Sequence, residues 1–229
     1  MDHSPNQSRP IVTQTTTRAQ RSTRTLRDAI LTLRLAPGAR LVERDLVTQL
    51  GVSRTGVRAA LQSLDAEGLV VRGRRGVFSV AAVSAEEARQ IYEVRAALEP
   101  AMARLFIERA TAAQIAALGA AVMHAEAAAR NLDAAAYVDA FGAFYAVLLA
   151  GSGNEVARRI LNTLNARIAY LRHLTTQRAP LARQLRTVTL LRGIFAAVQA
   201  RAPMLAARRC AAFVARSARF ALDVLAEST

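Results

Sequence analysis

The sequence predicts a mainly α-helical protein in two parts, a small N-terminal domain with a β-hairpin and a bundle of long antiparallel helices. Three observations predict this class. Apolar residues recur at helical spacing from about residue 23 onward. Two β-prone runs, 69–71 and 77–80, lie close together, and β character ends after them. Six long helical segments follow, joined by short breaks that favour antiparallel neighbours.

Composition and charge narrow the class of function. The chain has 229 residues, a hydrophobic fraction of 52% and a net charge of +14, and all 31 basic residues are arginines. Such a length holds one large or two small domains. A strongly basic chain favours a polyanionic partner, usually nucleic acid, although a GC-rich genome would also favour arginine over lysine. The first 80 residues carry 13 arginines against 6 acids, which places the densest positive charge at the N-terminus.

Several classes of protein are excluded by pattern. We count no apolar run of about 18 residues, the length that a membrane-spanning helix needs. The start of the chain is polar, unlike a secretory signal. A single cysteine, Cys210, excludes an intrachain disulfide framework and a multi-cysteine zinc site. We therefore expect a cytoplasmic protein without a membrane segment.

The N-terminal domain is predicted over residues 23–80, after a flexible polar arm at 1–22. Its first helix places Leu26, Ala29, Ile30 and Leu33 inward and ends before Pro37-Gly38. A second short helix is predicted over 43–50. The turn at 51–53 then leads into a third helix over 54–67.

The third helix has clear start and stop signals. Ser53 is suited to cap its first turn, and Gly68 is suited to end it. The two β-prone runs that follow are joined by a basic hairpin at 72–76. Two helices with a tight turn between them and a basic hairpin after them indicate a winged helix-turn-helix.

In a winged helix-turn-helix, the second helix of the motif enters the DNA major groove with its N-terminus first. Its first-turn side chains then meet base edges, and arginine can bond guanine through two hydrogen bonds. The preceding helix can supply a phosphate contact, and the wing can enter the minor groove. The predicted DNA-binding residues are Arg44, Ser53, Arg54, Thr55, Arg58, Arg72, Gly73, Arg74 and Arg75.

The second domain is predicted over residues 84–226 as six helices. Ser84 with Glu87 and Thr111 with Gln114 fit capping boxes, and Asp133 is suited to cap the third helix. The predicted helices span 85–109, 112–130, 134–150, 155–175, 181–201 and 203–226. Apolar residues at helical spacing on the first of them are expected in the core rather than in an interface; they are Leu98, Met102, Leu105 and Phe106.

The chain resembles the GntR family of bacterial transcription regulators. The N-terminal resemblance lies in residues 35–46 (LAPGARLVERDL), 50–61 (LGVSRTGVRAAL) and 64–70 (LDAEGLV), with Gly56 where the family usually has proline. The remainder resembles the FadR-type subgroup, because residues 91–100 (IYEVRAALEP) match the start of its C-terminal FCD ligand domain. The resemblance implies a homodimer on a pseudo-palindromic DNA operator, a small organic effector and, more often than not, repression.

FCD domains commonly hold a divalent metal through an aspartate and three histidines. Aligned on Ser152-Gly153-Asn154 and the later helices, the four ligand positions carry Phe141, Tyr145, Leu191 and Phe213. None of these is an ordinary metal ligand. We therefore predict no metal and no other cofactor, and we expect His124 and His173 at or near the surface.

Two readings of the former metal site stay open. The four side chains either fill the bundle as ordinary core, or they line a cavity for an acidic or hydrophobic effector. Arg95 is the first candidate for an effector carboxylate, and Tyr145, Asn165 and Arg172 are weaker ones. The full set of candidate effector residues is Arg95, Phe141, Tyr145, Asn165, Arg172, Leu191 and Phe213.

Two other classes of function compete with an effector-responsive regulator. An enzyme is disfavoured, since the sequence shows no nucleophile–base pair, metal set or Gly-rich phosphate loop before a helix. A ligand-blind or architectural DNA-binding protein stays open as the alternative. An architectural protein would bind DNA without sequence preference and with a steep dependence on salt.

Overall fold

The computed structural model describes residues 18–73 and 76–227, with side chains from Gln20 onward. In chain order the elements are α1 (Arg18–Leu31), β1 (Arg40–Leu41), α2 (Glu43–Leu50), α3 (Arg54–Ala66), β2 (Val70–Arg72), β3 (Phe78–Val80), α4 (Ala85–Arg109), α5 (Ala112–Arg130), α6 (Ala134–Gly151), α7 (Glu155–Arg178), α8 (Leu181–Gln199) and α9 (Pro203–Ala226). This order confirms the predicted fold class.

The start of the first helix was predicted wrongly. Helix α1 begins at Arg18, so residues 18–22 are helical, and the rest of the predicted arm, 1–17, lies outside the described residues. The helix prediction missed residues 18–22 because they are mostly polar and show no apolar periodicity. Leu33 lies beyond the end of α1 with a φ of 58°. It packs against the core of the second domain rather than that of the first.

The N-terminal domain has one small core under a three-stranded sheet. The strand order is β1-β3-β2, antiparallel throughout, and the two-residue strand β1 was not predicted. Helices α1 and α3 bury Ile30, Leu61 and Leu64 almost completely against this sheet. The packing fixes the direction of α3 and leaves its opposite face exposed.

The helical domain is a bundle in which α4 and α9 pack closely together and α5 packs against α6 and α8. Asp133 caps α6 through the backbone N–H of Ala136, and Thr111 with Gln114 forms a complete capping box on α5. Helix α7 runs to Arg178, three residues beyond its predicted end. Leu105 and Met102 are buried as expected.

Helices α5 and α6 are long and apolar enough by composition to cross a membrane. Counting apolar runs had led us to expect no segment of this kind, so the expectation is revised. In the bundle, however, 39% and 50% of their apolar windows are buried, and the two helices pack on each other. Core helices of water-soluble proteins have the same character, and these two helices do not indicate a membrane protein.

The two domains contact each other along α7. Arg167 on α7 forms an ion pair of 2.8 Å with Glu87, in the first turn of α4. Its guanidinium also lies against Gly68, just after α3, where any side chain would collide with it. Ser84 accepts from the backbone N–H of Glu87, but the Glu87 carboxylate turns to Arg167, so only half of the predicted capping box is made.

Candidate functional site

The N-terminal end of α3 presents polar and cationic groups to solvent. Ser53 caps the helix as predicted, since its Oγ accepts from the backbone N–H of Gly56 at 3.1 Å. Arg54, Thr55 and Arg58 are all exposed on the first turns. Unpaired backbone N–H groups and the helix dipole make such an end attractive to anions, phosphates included.

The arginines at this surface differ in how firmly they are held. Arg58 donates its Nε–H to both carboxylate oxygens of Glu43, at 3.0 and 2.9 Å. Arg44 makes only a long contact of 3.5 Å with Asp45, and both side chains are exposed. Arg54 has no hydrogen bond or ion pair with any residue that the structure describes. Arg54 is therefore unpaired, whereas Arg58 has a defined orientation.

The wing is the loop between β2 and β3. Arg72 leaves β2 exposed to solvent, with its guanidinium 5.9 Å from the centre of the Phe78 ring. The backbone N–H of Gly73 donates to the Val77 carbonyl at 2.8 Å and closes the loop. Gly76 has a φ of 74°, which favours glycine. Arg74 and Arg75 lie outside the described residues.

In the bundle, aromatic side chains meet at the positions aligned with the family's metal ligands. The ring of Phe213 lies 6.2 Å from that of Phe141 and 6.0 Å from that of Tyr145. Leu191 is fully buried in the same core. Burial raises the pKa of the Tyr145 hydroxyl well above its ordinary value, which keeps its proton in place. These side chains do not fit a metal ion.

The remaining donors do not assemble a metal site elsewhere in residues 18–73 and 76–227. No group of three or more histidine, cysteine, aspartate or glutamate side chains suited to a metal occurs there. His124 is exposed and His173 is half-buried, as expected. Burial lowers the pKa of His173, and nearby Asp139 opposes that shift.

A cavity of about 70 Å³ lies beside the aromatic cluster, between α4, α6, α7, α8 and α9. It is lined by four of the predicted residues, Arg95, Phe141, Arg172 and Phe213. Tyr145, Leu191 and Asn165 do not line it: the first two are buried in the core of the bundle, which was the other reading left open for them, and Asn165 is exposed elsewhere on α7. Among the described residues, no aspartate or glutamate lines the cavity.

Arg95 lines the cavity, but its charge is already paired. It is buried, and its Nε donates to Glu99 Oε1 at 2.6 Å while its Nη2 donates to Glu99 Oε2 at 3.3 Å. Burial is the largest single influence and lowers the pKa of Arg95, but Glu99, Tyr145 and Tyr92 together raise that pKa above its ordinary value. Arg95 was predicted to bind an effector carboxylate, but in this structure the carboxylate of Glu99, on the same helix, occupies its guanidinium.

Arg172 lines the cavity without a charge partner among the described residues. Its guanidinium lies 5.8 Å from the Phe141 ring and 5.6 Å from the Tyr145 ring. Burial and the positive charge of Arg95 lower the pKa of Arg172. In the described part of the chain, it has no hydrogen-bond acceptor and no ion pair for its side chain. An anion at this point would relieve an unfavourable charge.

Two further arginines of the cavity were not predicted. Arg183 lies over the Phe220 ring at 3.4 Å, and burial and then Arg216 lower its pKa. Arg216 lines the same cavity, and neither arginine forms an ion pair among the described residues. Sequence patterns could not single them out, because two separate helices, α8 and α9, bring them to the cavity that Arg172 of α7 also lines.

Comparisons with known proteins agree with this two-domain arrangement. Residues 19–80 match the family model "Bacterial regulatory proteins, gntR family", and residues 90–216, more than half the chain, match the "FCD domain" model. The chain is 30% identical over 141 residues to the Nta operon transcriptional regulator of Aminobacter aminovorans, covering 62% of this chain and 67% of that protein.

Two further likenesses extend this result. The chain is 28% identical over 137 residues, 59% of its length, to the uncharacterized HTH-type transcriptional regulator YdhC of Bacillus subtilis, and spans 61% of that relative's length. Its fold resembles that of E. coli McbR/YncC, with a TM-score of 0.76, 21% identity and coverage of 93% of this chain and 98% of the other.

Proposed function

Because the chain belongs to the gntR family of bacterial regulatory proteins and carries an FCD domain, we propose that it is a dimeric, cytoplasmic transcription regulator. It binds a pseudo-palindromic operator through its N-terminal domain and responds to a small organic anion in its helical domain, and its regulatory sign is repression. The observation that carries the proposal is the capped, exposed and cationic N-terminal end of α3.

In this proposal, the first turn of α3 contacts the DNA bases. Arg54 and Arg58 are four residues apart and share one face of the helix. Each arginine that bonds a guanine through O6 and N7 contributes about 1–3 kcal/mol of discrimination between bases. Thr55 and Arg44 are suited to phosphate contacts, and Arg72 with Gly73 to the minor groove beside it.

Arg54→Ala is expected to weaken binding to the preferred DNA sequence by about 5- to 150-fold, the equivalent of about 1–3 kcal/mol. The preferred sequence is obtained by selection from a random duplex pool, and affinity is measured by fluorescence anisotropy at fixed salt. Arg208→Ala removes the same charge from an exposed position on α9 and serves as the control. Equal losses from both substitutions, or no preferred sequence for the unaltered chain, would contradict the proposal.

The proposed dimer interface is an apolar surface on α4 and α7. Val94 on α4 is 37% exposed, and Val156 and Ile160 on α7 are 60% and 44% exposed. Beneath them the two helices share a buried cluster that includes Leu105 and Leu161. A second copy of the chain is suited to cover this surface, since two DNA-binding domains related by a two-fold axis read a palindrome.

Ile160→Glu is expected to turn the dimer into a monomer, because it places a charge at the centre of the apolar surface. Light scattering coupled to gel filtration measures the change as a halving of the mass. Met204→Glu is the control, since Met204 is an apolar residue that is 73% exposed on a different helix, α9. A dimer that survives Ile160→Glu, or dissociates equally with Met204→Glu, would place the interface elsewhere.

The proposed effector is a small organic acid that binds without a metal. The cavity of about 70 Å³ has room for a few groups of the size of water. Its free cations are Arg172, Arg183 and Arg216, and its walls include aromatic rings. This combination supports an effector site over a filled, ligand-blind core. Larger effectors would require movement of Phe141 or Phe213.

A further inference from the structure

The ion pair between Glu43 and Arg58 joins α2 to α3 at the proposed DNA-binding surface. Both oxygens of the Glu43 carboxylate accept from a single Arg58 atom, Nε, at 3.0 and 2.9 Å. The Arg58 side chain is 66% exposed and that of Glu43 is 30% exposed. Exposed pairs of this kind contribute little to stability, so the fold gives no strong reason for it.

The bonding pattern leaves the two terminal nitrogens of the Arg58 guanidinium without a partner among the described residues. Arg58 Nη1 and Nη2 have no hydrogen-bond partner among the described residues, since only Nε faces Glu43. In the major groove, guanine O6 and N7 accept hydrogen bonds from two parallel N–H groups such as those at this end of the guanidinium. A freely rotating arginine loses conformational entropy when it docks, whereas one that is already held loses less.

Charge gives Glu43 a second effect at the same place. A carboxylate at the DNA surface repels phosphates, and it repels them whatever the base sequence is. It therefore weakens binding to random DNA while it helps Arg58 read its base. Arg54, on the same face of α3, has no comparable partner in the part of the chain that is described.

From these contacts we propose that Glu43 is a positioning residue that sets operator specificity, by holding Arg58 with its terminal nitrogens free for one base pair. The inference rests on the proposed function, namely sequence-specific DNA binding by α3. A purely structural role for Glu43 would change affinity for all DNA alike. A positioning role changes the preference at one position in each half-site.

The test is a selection from a pool of random DNA duplexes, carried out in parallel on the full-length protein and four variants. Arg58→Ala identifies the position that Arg58 reads, as the position at which base preference is lost. At that position, Glu43→Ala is expected to reduce base preference by about 2- to 10-fold, with Glu43→Gln intermediate. The position read by Arg54 keeps its preference, and affinity for random DNA stays equal or rises.

Asp65→Ala is the matched control, because Asp65 is an exposed acid on α3 away from the first turn. The melting temperature of each variant establishes whether it is folded. If Glu43→Ala is not folded, Glu43→Gln takes its place as the test variant. If the unaltered protein selects a motif and both Glu43 variants select it unchanged, the inference is wrong while the proposed function stands. If the unaltered protein selects no motif, the proposed function itself fails.

Discussion

Glu99→Ala is expected to lower the free energy of unfolding by about 3–5 kcal/mol, since it leaves the buried charge of Arg95 without its partner. Glu99 and Arg95 are 2% and 3% exposed and lie one turn apart on α4. Chemical denaturation followed by circular dichroism measures the loss. A total stability of about 5–15 kcal/mol is usual, so the variant would lose a large part of its stability.

Two comparisons make that measurement decisive. Glu108→Ala breaks a half-exposed pair with Arg104 on the same helix, and pairs of that kind contribute little. The double variant Arg95→Met/Glu99→Leu replaces both charges by apolar groups and is expected to recover most of the lost stability. Similar losses from Glu99→Ala and Glu108→Ala would show that burial of the pair has no energetic consequence.

Arg172→Met is expected to abolish the stabilisation of the protein by small organic acids without lowering the stability of the free protein. Burial already disfavours the Arg172 charge, and the nearby Arg95 charge adds to this. In the unaltered protein, an acid present at 100 times its dissociation constant adds about 2.7 kcal/mol to the free energy of unfolding. The measurement is a thermal-shift titration with acetate, lactate and malonate.

The same titration tests independence from metals. Protein treated with a chelator is expected to respond to the acids as untreated protein does. Arg208→Met, on the exposed side of α9, controls for the loss of one positive charge. Stabilisation by acid that persists in Arg172→Met, or that disappears with the chelator, would contradict the proposed site.

Local signals accounted for most of the predicted architecture. Ser53, Thr111 and Asp133 each cap the helix that they were expected to begin. Capping depends on residues within one turn, so sequence alone carries it. The start of α1 was not predicted correctly, because Ala19 is the one apolar residue in its first turn.

Sequence patterns could not predict which side chains pair in the folded protein or which of them are buried. Arg95 and Glu99 are i and i+4 on one helix, a spacing that permits the pair, yet their burial follows from packing. Glu43 and Arg58 are 15 residues apart on different helices. The convergence of Arg172, Arg183 and Arg216 depends on how α7, α8 and α9 cross, which no motif encodes.

Helix α7 shortens the distance over which an effector must act. Arg172 at the cavity and Arg167 at the DNA-binding domain are five residues apart, about 7.5 Å along one rigid helix. Communication between the two sites therefore needs no relay of side chains across the bundle. In the proposed function, a small axial shift or roll of α7 would move the Arg167 side chain against Gly68, just after the C-terminal end of α3. The two halves of a dimer would then lose their common register with the turns of the DNA helix.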